Sequence, residues 1–138
     1  MSKAPYERKR EKAAALTMAF RTLLANSKER LTVMQLSEML EEVPAPRFYV
    51  STLCAMHTVN RIKKGKGGSI PRKRREMFEE IMARLEVEKR KHPKKSYYDQ
   101  MEDVLAQPAP SFYMTGKSMY KIINNHLKEN RKRRSNRT

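Results

Sequence analysis

Two stretches of this chain read almost alike: PAPRFY at residues 44–49 and PAPSFY at residues 108–113, agreeing at five of six positions. Chance is a poor source of so uncommon a combination, and an internal repeat constrains the fold of a chain before any local propensity does. The likeness extends in both directions. Downstream the offset is 64 residues: Val50-Ser51 meets Met114-Thr115, Met56 meets Tyr120, Val59 meets Ile123, Asn60 meets Asn124 and Lys64 meets Lys128. Upstream it becomes 65, because the first copy carries one extra residue before its Pro-Ala-Pro. There Gln35-Leu36 meets Gln100-Met101, and Met39-Leu40 meets Val104-Leu105. Arg8-Lys9-Arg10-Glu11 meets Lys73-Arg74-Arg75-Glu76, and Leu16 and Phe20 meet Ile81 and Leu85. Apolar meets apolar and basic meets basic across the two copies.

Each copy reads as three helices, which makes the fold class all-α. The first helix is expected over Glu7–Leu24 and Arg72–Lys91, with apolar residues Ala13, Leu16, Phe20 and Leu23, then Phe78, Ile81, Met82 and Leu85, at helical spacing. The second is expected over Val33–Val43 and Tyr97–Gln107. Thr32 with Gln35 fits a capping box, and Ser96 with Asp99 a looser version. Each second helix stops before a proline, which bars the α region to the residue ahead of it. The third is expected over Thr52–Lys64 and Gly116–Glu129, with Ser51 and Thr115 as matching N-caps. Its core side is read as Met56, Val59 and Ile62, then Tyr120, Ile123 and Leu127. The domain reading is therefore a first repeat over residues 1–64, a flexible Gly-rich basic linker over 65–70, a second repeat over 71–129 and a basic tail over 130–138, expected to lack structure of its own.

The charge narrows the partner. The 138 residues hold 31 lysines and arginines against 15 acids, a formal net charge of +16. Such a chain repels itself when compact and calls for a polyanion. A membrane surface would ask for Trp and Phe on a basic amphipathic helix, yet Trp is absent and Phe numbers four. Hydrophobic residues make up 38%, so each core is thin, and ten methionines suit irregular gaps in it. A single cysteine, Cys54, rules out an internal disulfide and fits a reducing compartment. With no apolar leader and no membrane-span-length apolar run, the expected place is cytoplasmic or nucleoid-associated.

Two three-helix units with a last helix entered through a loop, joined by a basic linker, resemble tandem helix-turn-helix DNA-binding proteins of the Myb-like or paired-like kind. The resemblance covers layout alone: the Pro44–Ser51 connection is longer than the usual turn of about 3–4 residues, and no recognition residue aligns. It implies a last helix laid in the major groove. The outward stripe of the third helix is read as Cys54, His57, Arg61 and Lys64, and in the second copy as Ser118, Lys121, Asn125 and Lys128. These side chains suit phosphates and base edges, with Arg61 matched to guanine and Asn125 to adenine. Arg47, Ser51, Thr115 and Lys117 stand beside the starts of these helices. From Arg61 to Arg75 there are eight basic residues and no acid, among them Lys66, Arg72, Lys73, Arg74 and Arg75. From Lys128 to Arg137 there are six and one acid, among them Arg131, Lys132, Arg133 and Arg134. Basic arms after a recognition element commonly track the phosphate backbone.

Other chemistry finds little support. His57, His92 and His126 lack metal-ligand spacing with Cys54. Glu38-Glu41-Glu42, Glu79-Glu80 and Glu102-Asp103 lie on faces of helices rather than around a cleft. GKGGS lacks the P-loop spacing. Phe48-Tyr49 and Phe112-Tyr113 read as core plugs ahead of base-stacking platforms, and Asn60 and Asn124 as hydrogen-bond donors to loop backbone. The expected function is non-enzymatic, without cofactor, metal or small-molecule substrate: nucleic-acid binding, DNA favoured over RNA, by a regulator or accessory factor of a phage or mobile element. An RNA- or ribosome-associated protein, a structural or virion-internal DNA-condensing nucleoprotein and a protein-interaction adaptor stay open, as does self-association.

Overall fold

The structure is a computed structural model that describes residues 5–135, with side chains from 8 to 133. It is all-helical among the described residues, with six helices: α1 (Pro5–Asn26), α2 (Val33–Leu40), α3 (Thr52–Lys63), α4 (Arg72–Lys91), α5 (Tyr97–Leu105) and α6 (Gly116–Ser135). The expected caps are made. The Thr32 hydroxyl accepts from the Gln35 amide at 3.1 Å while the Gln35 side chain accepts from the Thr32 amide at 2.8 Å, a complete capping box. Ser51, Ser96 and Thr115 accept from the amides of Cys54, Asp99 and Ser118 at 3.2, 3.1 and 3.3 Å. The second helices end earlier than expected, at Leu40 and Leu105. Their last turns tighten into three-residue bonds, such as Val43 N–H to Leu40 C=O and Gln107 N–H to Val104 C=O, both 3.1 Å, ahead of the prolines. The tail expected to lack structure is helical as far as Ser135, because Gly116 to Ser135 holds no glycine or proline after its first residue; residues 136–138 lie outside the described residues.

The larger departure concerns which helices share a core. One compact unit is the segment Pro44–Tyr113, which holds α3, α4 and α5; the other is built from the chain before Pro44 and after Tyr113, which holds α1, α2 and α6. The compact units are thus not residues 1–64 and 71–129. Each takes its first two helices from one sequence copy and its third from the other. Consecutive second and third helices never share a core, so neither copy forms a helix-turn-helix of its own.

Side-chain volume explains the exchange. In the α1–α2–α6 unit the small Ala13 of α1 is buried along with the large Met119 and Ile123 of α6. In the α3–α4–α5 unit the sizes reverse. The matched position to Ala13 is Phe78, fully buried in α4, and the matched positions to Met119 and Ile123 are Ala55 and Val59 of α3, both at 0% exposure. Unexchanged copies would set small against small in one core and large against large in the other. The first leaves a void and the second an overpacked contact, and close-packed cores tolerate neither. This also corrects the expected core faces: Ala55, Val59, Met119 and Ile123 form them, while Tyr120 is exposed.

The exchange point is built from the two repeated loops, both inside the α3–α4–α5 unit. Ala45 and Ala109, the same position in each PAPxFY, pair antiparallel, each amide donating to the other's carbonyl at 2.9 Å. Phe48 stacks with Tyr113 at 6.2 Å between ring centroids, and Tyr49 with Phe112 at 6.1 Å. Arg84 locks the clasp: its guanidinium lies 5.1 Å over the Phe48 ring and donates to the Pro108 carbonyl at 2.6 Å. Tyr113, where the chain leaves this unit, has φ +56°, a left-handed conformation that disfavours a bulky residue. The Ser111 hydroxyl, accepting from the Tyr113 amide at 2.9 Å, helps to hold it.

Gly116 is required where α6 meets α2. A Cβ there would stand 2.7 Å from the Ser37 carbonyl oxygen and 3.0 Å from the Glu38 amide nitrogen, both backbone atoms that cannot rotate away. Gly116→Ala is expected to destabilise the α1–α2–α6 unit by about 1–3 kcal/mol, read as a fall in the denaturant midpoint. An unchanged midpoint would show that α2 and α6 do not meet there.

Candidate nucleic-acid interface

In the α3–α4–α5 unit the structure brings most of the first basic block to one surface. His57, Arg61 and Lys64 are exposed on the outward side of α3, as the stripe predicts. Cys54 is half-buried and engaged: Arg74 donates to its sulfur at 3.5 Å. The linker is not a flexible tether. Lys66 N–H closes on the Arg61 carbonyl at 2.9 Å, and Gly65 N–H on Ile62 C=O at 3.0 Å. Gly65 adopts φ +76°, and buried Gly67 lies where a Cβ would come 2.9 Å from the Ile62 side chain. Glycine here provides close approach and a left-handed turn rather than slack.

Residues 72–75, expected as an arm, are the first turn of α4. Arg75 donates to the Gly67 carbonyl at 3.0 Å and lies 3.6 Å from Glu79; Arg72 pairs with Glu76 at 3.3 Å. Arg74 packs over the Phe78 ring at 5.2 Å. Lys73 is half-buried and also has a partner. Four basic residues thus stand at the positive end of a helix dipole with no side-chain N-cap, an arrangement that repels itself and that an anion relieves.

In the α1–α2–α6 unit Lys117, Ser118, Lys121, Asn125 and Lys128 are all exposed along α6. The helical extension carries Arg131, Lys132 and Arg133 outward on the same rod; the Arg134 side chain lies outside the described residues. Asn125 lines a cavity of about 270 Å³ with Lys9 and Arg10 of α1, two basic residues outside the stripe that helical spacing picks out. Their signal is present in the sequence, since Arg8-Lys9-Arg10 matches Lys73-Arg74-Arg75 in the repeat.

The remaining candidates are placed differently. Ser51 and Thr115 use their hydroxyls as caps, and Arg47 is half-buried with its Nε near the Phe48 carbonyl at 3.5 Å. Asn60 is exposed instead of facing the core, because the buried side of α3 runs through Thr52, Ala55 and Val59. Phe48 and Phe112 are buried and stacked, which leaves them no face for a base.

Titration follows the packing. Burial pushes the Tyr49, Tyr97 and Tyr113 phenols up. Partial burial and then the neighbouring Lys89 ammonium push Lys63 down. The hydrogen bond with Asp103, at 2.7 Å, raises Lys95 and occupies it. Among the described residues no group of three or more His, Cys, Asp or Glu side chains is placed to hold a metal ion, and no described helix is long and apolar enough to cross a membrane. Comparison of the chain with protein-family models, curated proteins and solved structures gives no match.

Proposed function

We propose that the chain is a non-enzymatic nucleic-acid-binding protein that takes duplex DNA along the outward sides of α3 and α6 and the basic segments that follow them. The observation that carries this reading is the persistence of one exposed basic stripe on each third helix despite the exchange: Arg61 and Lys64 on α3, Lys121, Lys128, Arg131 and Lys132 on α6. In this reading the lysines hold phosphates, which fixes register without reading sequence, while Arg61 and Asn125 meet base edges. The setting it fits is an accessory factor of a phage or mobile element acting at the nucleoid.

The test is binding to duplex DNA, single-stranded DNA and structured RNA, with Arg61→Ala and Asn125→Ala alongside. Each substitution is expected to cost about 1–3 kcal/mol on a preferred duplex. Equal, weak binding to all three nucleic acids would remove groove reading, and tighter binding to structured RNA would reassign the partner.

A further inference from the structure

A second cationic feature lies in the α3–α4–α5 unit, adjoining the outward stripe at His57. A cavity of about 370 Å³ beside α3 is lined by His57, Asn60, Lys63 and Tyr97, with Met56 completing the wall. Lys89 of α4 joins this group: its ammonium sits 5.5 Å from the Tyr97 ring centroid and close enough to Lys63 to disfavour the charge there. Lys63 and Tyr97 line the cavity and Lys89 lies over the Tyr97 ring, so the two lysines approach the same wall from α3 and α4. Glu86 lies 3.5 Å from Lys89 and is largely exposed. An i,i+3 surface pair of this kind is weak and readily yields to a stronger anion.

The fold does not require the pair. In the other unit the positions matched to Lys89 and Lys63 are Leu24 and Leu127, and Thr32 stands for Tyr97. The same three-helix arrangement is therefore built there with two leucines, and the lysines are a property of this cavity rather than of the architecture.

We infer that this cavity binds a single phosphate group, held by Lys63 and Lys89, with Asn60 and His57 as further hydrogen-bond donors and the Tyr97 ring as its apolar wall. Two adjacent ammonium groups match a phosphate's charge, which neutralises their mutual repulsion, and the amide and imidazole can donate to the remaining oxygens. The phosphate comes from a nucleic-acid backbone or from a free phosphate or nucleotide. The first source rests on the proposed nucleic-acid function; the second is independent of it.

The experiment follows backbone and side-chain NMR shifts of the full chain as inorganic phosphate is added, against chloride at equal ionic strength. Saturable shifts at His57, Asn60 and Tyr97 with phosphate alone are expected. They should vanish in Lys63→Leu/Lys89→Leu, which installs the leucines of the other unit, and in Lys63→Gln/Lys89→Gln, which keeps the polarity. Absent shifts, equal shifts with chloride, or shifts that survive in a double variant with native helical content would overturn the assignment. Duplex binding separates the sources. A log–log salt slope shallower by about 1 in the double variants assigns the cavity to a backbone phosphate; an unchanged slope beside saturable phosphate binding assigns it to a free one. Duplex binding without phosphate binding would defeat this inference alone, and phosphate binding without duplex binding would defeat the nucleic-acid reading alone.

Discussion

Raising the salt concentration from about 50 to 200 mM is expected to weaken duplex binding on the order of 10³–10⁵-fold. The magnitude follows from counterion release. Each phosphate neutralised by a lysine or arginine steepens the log–log slope by about 0.9, and roughly six to ten such contacts give this range. Enough exposed cations are available. Arg61, Lys64, Lys66, Arg72 and Arg75 are exposed in one unit, and Lys117, Lys121, Lys128, Arg131 and Lys132 in the other. Two of them, Arg72 and Arg75, sit within 4 Å of a glutamate, at 3.3 and 3.6 Å. Such surface pairs are worth at most about 1 kcal/mol, so they reduce the slope only slightly. Filter-binding or anisotropy titrations across this range measure it. A slope shallower than about −2 would leave most of these side chains off the nucleic acid.

Severing the chain between the sequence copies is expected to abolish folding of either piece alone and to restore it on mixing. A fragment of residues 1–64 holds α1 and α2 without α6, and a fragment of residues 71–138 holds α4 and α5 without α3. The first exposes Leu16, Leu36 and Leu40, and the second Phe78, Ile81 and Met101, all fully buried in the intact chain. Cores near sixty residues are marginal even when complete, so loss of one helix of three leaves each fragment unfolded. Self-association does not rescue them well. The first fragment would fill the place of Met119 and Ile123 with Ala55 and Val59, and the second would set Met119 against Phe78. Mixed in equal amounts, the fragments recover both small-against-large cores. Far-UV circular dichroism of the fragments and the mixture, with sedimentation to confirm a one-to-one complex, measures this outcome. Two separately folded monomeric fragments would contradict the exchange.

The repeat itself makes much of the fold legible. Cap residues at Thr32, Ser51, Ser96 and Thr115, prolines after the second helices and apolar spacing together locate all six helices to within a few residues at their starts. The partner of each third helix is not legible from periodicity, because a helix shows which face it buries and not against what. The information lies in volumes at matched positions, Ala13 with Phe78 and Ala55 with Met119, which become readable only when the two copies are compared as packing partners. The candidate site divides similarly. Exposed stripes on α3 and α6 follow from helical spacing alone. The contacts of Cys54, Arg74 and Arg75 do not, since they depend on long side chains reaching another element. Lys63 and Lys89 escape a sequence reading for the same reason: they are 26 positions apart in the chain and come to one cavity only once α3 packs on α4.

The most direct test of the functional account is a map of amide shift changes on adding a short DNA duplex at about 50 mM salt, where the electrostatic contribution is near its strongest. The account predicts changes concentrated along the outward side of α3 and on to Arg75, and along the exposed side of α6 from Lys117 to Arg133, with α2 and the part of α5 after Tyr97 nearly silent. No change at this salt, or changes centred on the acidic residues of α2 and α5, would contradict it.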